Sequence, residues 1–409
     1  MKRLVWLLST ALALAVSASA QGLPQSAPGN VGMSLERLER IDAVLEGWVK
    51  EKKYAGVAAA VARRGRIAYF RTFGFRDAEA DAALQIDTIY RFYSMTKPIA
   101  STAAMILHEE GRFLLDDPVS EYLPEFADLQ VLAAEDGDSS QLVPREGEVT
   151  IKHLLTHTSG LSNSEAYDAK GVFDRDITLE QMQQRLAGVP LAHQPGAAWR
   201  YGQSINVIGR LVEVLSGKTF DQFLRDRIFD PLLMPDTAFY VPASKAARMA
   251  KLYQLDDAGG IEPYPFDYDD SAKPAFYSGG GGLYSTAADY IRFCQMLLNK
   301  GELDGARIVS PKTVEIMMLN HVAEDVLPPK GPNGRTGYGF GIGGAVLMDV
   351  AKSGQLASKG EYNWGGKAGT YFWIDPQERL IGLFLVQRPG FVPGPPKTLK
   401  NLVYQALLN

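Results

Sequence analysis

The chain has 409 residues, of which 46% are hydrophobic and 22% charged, with a net charge of -5. Such a composition describes one large globular domain or two moderate ones and excludes a disordered or fibrous chain. The mild negative charge and the lack of a long basic run exclude a nucleic-acid or anionic-membrane partner, and a lone cysteine, Cys294, excludes an internal disulfide and any multi-cysteine metal site.

Lys2 and Arg3 precede an apolar stretch over residues 4–16, followed by Ala18-Ser19-Ala20 and polar Gln21. This is the layout of a secretory signal peptide over residues 1–20. The expected mature chain starts at residue 21, is periplasmic or secreted, and keeps no stable membrane insertion, because the apolar stretch is too short to span a bilayer comfortably. No cysteine follows it, so lipoprotein anchoring is excluded. Residues 21–33, rich in Pro, Gly and Ser, read as a leader.

Ser34 can cap a helix running to about Lys53, with Leu35, Leu38, Ile41, Leu45 and Trp48 on one face. Residues 56–62 and 67–73 read as strands joined by a turn at Arg63-Arg64-Gly65-Arg66. From about residue 94 to 298 the pattern is mostly helical, broken by Gly and Pro, with irregular excursions expected at 128–149 and 255–275. Residues 341–349, 362–366, 370–374 and 380–387 again read as strands, with a turn at Asp375-Pro376-Gln377-Glu378, and a last helix is expected over about 398–408. Hairpins at both ends and helices between predict an α+β fold. One antiparallel sheet is built from both termini (about 34–105 and 275–409) and flanked by helices, with a mainly helical insertion at about 106–274. A cleft between the two parts is the natural place for a site.

Ser94-Met95-Thr96-Lys97 carries the strongest chemical signal. A helix expected from about Ser94 to Glu110, ended by Gly111, puts Lys97 beside Ser94, because residues three apart share a face. A serine hydroxyl becomes a useful nucleophile only when a base takes its proton, and a desolvated lysine can assist. A serine at a helix start also lies near free backbone N–H groups that can hold an oxyanion. No other serine in the chain has a lysine three residues on. The same spacing also fits a capped helix start with a surface lysine, so further segments decide.

Those segments are Tyr90-Arg91-Phe92-Tyr93-Ser94-Met95-Thr96-Lys97-Pro98, His153-Leu154-Leu155-Thr156-His157-Thr158-Ser159-Gly160-Leu161, Tyr201-Gly202-Gln203-Ser204, Ser278-Gly279-Gly280-Gly281-Gly282-Leu283-Tyr284-Ser285 and Trp364-Gly365-Gly366. In this order, over roughly residues 34–400, the chain resembles the serine β-lactamase and penicillin-binding-protein superfamily. It is most similar to class C β-lactamases, D-aminopeptidases and family VIII carboxylesterases. The resemblance implies that Ser94 is acylated, that Lys97 accepts or modulates its proton, and that Tyr201 is the general base. Where β-lactamases carry Lys-Thr-Gly, this chain has Trp364-Gly365-Gly366, with Lys367-Ala368-Gly369 directly after as an alternative register. In the tryptophan register the backbone N–H groups of Ser94 and Lys367 form the oxyanion hole. Gln203 stands where class C enzymes have the asparagine of Tyr-Ala-Asn. Both departures weaken the reading of charged β-lactams and peptides and favour small neutral esters with short acyl chains. Trp364, Gly365, Gly366 and Gln203 are the expected substrate-binding residues, and Trp364 with Tyr338–Phe340 is expected to line the acyl or alcohol pocket. No metal or organic cofactor is implied. A β-lactamase, D-aminopeptidase, DD-peptidase or acyltransferase, and a non-catalytic ligand-binding protein on the same fold, are the alternatives.

Other signals read as structural. His153 and His157 lack a third ligand for zinc, residues 279–282 read as a tight backbone passage near the cleft, and Cys294 sits in an apolar helical pattern. No Gly-x-Ser-x-Gly elbow occurs.

Overall fold

The computed structural model describes residues 22–132, 141–162, 170–172, 174, 176–266, 268–390 and 394–409, so the signal-peptide reading of 1–20 lies outside the described residues. The sheet is made of β1 (Gly56–Arg63), β2 (Arg66–Asp77), β3 (Ala82–Ala83), β4 (Tyr338–Phe340), β5 (Ala345–Leu347), β6 (Tyr362–Gly365), β7 (Tyr371–Asp375) and β8 (Leu380–Leu385). Its eight strands run in the order β4-β5-β6-β7-β8-β1-β2-β3, every neighbour antiparallel. The two ends of the sequence meet at β1 and β8, in a register that sets Ala58 opposite Leu385 and Arg63 opposite Leu380.

β1 and β8 are buried along their whole lengths, which requires cover on both faces. Because side chains alternate across a strand, Val57, Ala59 and Val61 join one apolar core and Ala58, Ala60 and Ala62 the other. On the first face lie helices α1 (Arg40–Lys50) and α5 (Gly394–Tyr404), with Leu45, Leu399 and Val403 against Trp373 and Phe384. On the second lie α2 (Thr96–Glu109) and α4 (Ala287–Leu298), with Ile99 and Tyr290 against Phe372 and Leu383. Beyond them α2 packs on α3 (Ser204–Ser216), and the helices Ile151–Thr156, Leu179–Ala187 and Phe220–Leu224 complete the helical layer. Cys294 is a wholly buried core residue, as expected.

The β1–β2 turn lies where expected, with Arg64 and Gly65 both at positive φ, the pairing a two-residue hairpin needs. Several boundaries differ from the sequence reading. Ser34 does cap a helix, accepting from the Arg37 N–H, but that helix stops at Leu38 and a second runs over Arg40–Lys50, with Leu35 exposed. The strand expected over 341–349 is a hairpin, because Gly341 and Gly344 close a turn in which Gly343 has φ 78°. The excursions expected at 128–149 and 255–275 contain the short hairpins Gln130–Leu132/Leu142–Pro144 and Tyr253–Leu255/Ile261–Pro263; residues 133–140 lie outside the described residues. The last helix begins four residues earlier than expected and ends at Tyr404.

Candidate active site

A short strand, Tyr90–Arg91, pairs with Tyr284–Ser285 and delivers the chain to a single 3₁₀ turn, Tyr93–Met95, just before α2. Ser94 therefore sits in that turn and not in the α-helix itself, which begins two residues later than expected, at Thr96. Tyr93 has φ 45°, a strained conformation for a bulky residue directly beside a chemically interesting one. Three contacts hold the turn: the Phe92 N–H donates to the Leu283 carbonyl (3.0 Å), the Leu283 N–H to Thr96 Oγ1 (3.1 Å), and the Tyr290 hydroxyl to the Met95 carbonyl (2.9 Å).

Lys97 is almost wholly buried, and its Nζ donates to Ser94 Oγ at 3.2 Å and to the Gly280 carbonyl. The same nitrogen lies 4.6 Å from the centre of the Tyr201 ring. The pairing of Ser94 and Lys97 foreseen from their spacing is thus present. Tyr201 completes the cluster through its ring; its hydroxyl accepts from Trp364 Nε1 at 3.4 Å. Among the described residues no hydrogen bond joins the Tyr201 hydroxyl to Ser94 or Lys97.

Tyr201 is positioned from below. The helix Ile151–Thr156 ends on His157, at φ 59° and fully buried, whose ring packs 4.7 Å from that of Tyr201. Burial, with the nearby Lys97 charge, pushes the His157 pKa well down, so the imidazole is neutral. His153 closes a capping box with Thr150. The two histidines do not converge on a ligand, and both are structural. Gly202 cannot be replaced easily, since a Cβ there would lie 2.1 Å from the Leu161 carbonyl oxygen.

Asn206 on α3 is the residue that sequence reasoning missed. Its Nδ2 donates to Gln203 Oε1 (2.8 Å), and its Oδ1 accepts from Ser278 Oγ (2.9 Å) and the Gly280 N–H (2.7 Å). One amide thus ties the Gln203 side chain to the glycine run whose Gly280 carbonyl holds Lys97. The signal was present: a lone asparagine three residues after Gln203 in an apolar helical stretch. The run itself is tight as expected, for a Cβ on Gly279 would lie 2.6 Å from the Ile205 carbonyl oxygen.

The third motif lies on β6, beside the serine turn. Trp364 occupies the strand position facing Tyr201, their rings 5.4 Å apart, while Lys367 falls past the strand in the turn to β7 and is exposed. At Gly366 a Cβ would meet the Phe92 carbonyl oxygen at 2.3 Å, so only glycine lets this strand end approach the serine turn. Tyr338–Phe340 does not line the pocket as expected: Phe340 is wholly buried behind Trp364, with ring centres 5.2 Å apart.

Ser94, Tyr201 and Lys367 stand where two lobes of one cleft meet. The sheet-side lobe, about 690 Å³, is bordered by Trp364, Tyr371, Arg335 and Lys397. The helical-side lobe, about 530 Å³, is bordered by Tyr93, Gln203, Phe239, Phe266 and Phe276. A serine half-open to such a cleft, with a buried amine on its oxygen, defines a serine hydrolase.

The family model for beta-lactamase matches residues 41–405, and the chain belongs to the beta-lactamase family. It is 33% identical to esterase EstB of Burkholderia gladioli over 371 residues, covering 84% of this chain and 88% of that one. It is 29% identical to the monacolin J acid methylbutanoyltransferase of Aspergillus terreus, covering 83% and 88%. Among solved structures, EstCE1, described as a hydrolase with promiscuous acyltransferase activity, superposes with a TM-score of 0.77 at 29% identity, covering 90% of this chain and 99% of that one.

Proposed function

We propose that the protein hydrolyses short-chain carboxylic esters through an acyl-enzyme on Ser94. The observation that carries this reading is the 3.2 Å hydrogen bond from buried Lys97 to a Ser94 hydroxyl that opens on both lobes. Tyr201 and Lys97 take the Ser94 proton as its oxygen attacks the ester carbonyl, then return it to the departing alcohol. The backbone N–H groups of Ser94 and Lys367 receive the oxyanion, and water releases the acid. Trp364, Gly365 and Gly366 support the ester from β6, and Gln203 borders the opposite side. The likeness to EstB supports an ester as the bond cleaved. Two lobes beside one serine also leave room for an acceptor alcohol next to the acyl group, and the likeness to the methylbutanoyltransferase supports acyl transfer as a second outcome of the same intermediate.

Parallel initial rates with p-nitrophenyl butyrate and nitrocefin test the reading. Wild type is expected to favour the ester, and Ser94→Ala to lose at least about a thousandfold in kcat. Dominant nitrocefin turnover would overturn the ester reading, and turnover that survives in Ser94→Ala would overturn the nucleophile. Faster acyl release on adding an alcohol would establish transfer. The layout of residues 1–20 supports export, so the mature protein is expected to begin at Gln21, which its intact mass reads directly.

A further inference from the structure

The sheet-side lobe is lined by Arg335, Lys367 and Lys397, and no Asp or Glu is among its lining residues. Among the described residues none of these three cations forms an ion pair. Lys367 and Lys397 are exposed at the rim, whereas Arg335 is half-buried in the wall.

Arg335 is firmly mounted. Its guanidinium lies over the Tyr338 ring, 4.2 Å from its centre, and Nη2 donates to Asn363 Oδ1 and to the Tyr371 hydroxyl at 3.2 Å. Asn363 Nδ2 in turn donates to Glu361 Oε1 at 2.9 Å. The Glu361 carboxylate is closed in a wholly buried ion pair with Lys400 Nζ at 2.6 Å. The buried Asp375 carboxylate also acts on Glu361, and the one ion pair in this group is that of Glu361 with Lys400. Against the cost of desolvation, Tyr371, Tyr338 and the Glu361 charge hold the guanidinium in its charged form at the edge of the cleft, with no ion pair of its own among the described residues. Nη2 carries the bonds to both Asn363 and Tyr371, and the planar fork of a guanidinium matches a carboxylate with two parallel bonds. The two rim lysines add a field that draws an anion inward.

We propose that the sheet-side lobe binds a carboxylate on the remote end of the ester substrate, with Arg335 as its anchor and Lys397 and Lys367 at its rim. The enzyme then selects half-esters of dicarboxylic acids, or esters of hydroxy acids, over neutral esters of the same length. This rests on the reading of Ser94 as the acylated serine of an esterase. It replaces the neutral ester expected from the Trp364 motif: that motif does remove the cation from the strand, but the folded chain supplies another from beside β4.

A matched pair of substrates tests it: mono-p-nitrophenyl glutarate and p-nitrophenyl butyrate. Wild type is expected to prefer the glutarate in kcat/KM, with a preference that shrinks as salt is raised. Arg335→Gln is expected to lower the glutarate-to-butyrate ratio at least tenfold, through the KM for glutarate, with Arg335→Lys recovering part of it. Lys397→Gln, at an exposed residue that folding does not depend on, is expected to lower the same ratio two- to threefold. An unchanged ratio in both Arg335→Gln and Lys397→Gln would overturn the proposal, as would a wild-type preference for butyrate. Calorimetric binding of monomethyl glutarate to Ser94→Ala, with and without Arg335→Gln, separates the lobe from the chemistry. Binding that needs Arg335 supports the lobe even if neither ester is turned over, in which case only the esterase reading fails. No binding to Ser94→Ala overturns the lobe.

Discussion

On the helical side of Ser94 the cleft wall is aromatic, with Tyr93, Phe239, Phe266 and Phe276; apart from Lys367, which both lobes share, its cations are engaged: Arg91 pairs with Asp270, and Lys97 is turned onto Ser94 and Gly280. On the sheet side Trp364 and Tyr371 share the wall with Arg335, Lys367 and Lys397, which form no ion pair among the described residues. The first lobe offers apolar area, worth about 25 cal/mol for each Å² taken from water. The second offers charge, worth most to a ligand of opposite sign that is partly desolvated. The difference orients a substrate that is apolar at one end and acidic at the other, with its ester bond at the serine between them. Charge is thus placed by what the neighbouring carboxylates are already doing, rather than by the number of basic residues in a lobe.

Four variants break or sharpen this contrast. Tyr201→Phe keeps the ring between the lobes and removes only the hydroxyl; ester kcat is expected to fall about 10²–10⁴-fold with KM little changed, in steady-state assays. Activity near wild type would remove Tyr201 from proton transfer. Trp364→Ala empties the wall shared with Tyr201 and Phe340. It is expected to cost about 3–5 kcal/mol of stability in denaturant unfolding and to alter the ranking in an ester panel. An unaltered ranking counts against a substrate-facing tryptophan. Asn206→Leu strands the Gly280 N–H and the Ser278 hydroxyl. A loss of about 1–3 kcal/mol is expected, with a fall in kcat as Gly280 releases Lys97, so thermal unfolding and rate should move together.

The smallest effect on rate lies outside both lobes. Burial pushes the Asp289 carboxyl up to about 6, above its usual 3.8, even though the Asp236 N–H and Thr237 hydroxyl bind it. The folded state therefore holds that proton more tightly than the unfolded one. Its contribution to stability is present below pH 3.8 and is lost as pH rises through about 6. Asp289→Asn is expected to flatten the unfolding midpoint over that window and leave ester turnover alone. A slope unchanged by the substitution would assign the pH dependence elsewhere.

The serine cluster was legible because the chemistry needs residues close in sequence: Ser94 and Lys97 lie one turn apart, and the pairing follows almost wherever the helix begins. The sheet was legible from β1 and β8, whose continuous apolar runs require cover on both faces. What escaped depends on distant partners. Asn206 matters because a loop some seventy residues later, closed by Ser278 and Gly280, folds onto it. Arg335 sits in a loop with no local pattern, and it is mounted by Asn363 and Tyr371 from strands about thirty residues on. Phe340 was expected in the pocket with Trp364, yet it lies wholly buried behind that ring.

The pairing of β1 with β8 sets an order of events. β1 lies inside the sheet, between β8 and β2, so an emerging chain carries β1 as an open edge until residues 380–385 arrive to close it. Ser94 is made early, but β6, which brings Gly366 against the serine turn, comes late. A chain still being made therefore has no assembled serine site until the residues of β6 have been released.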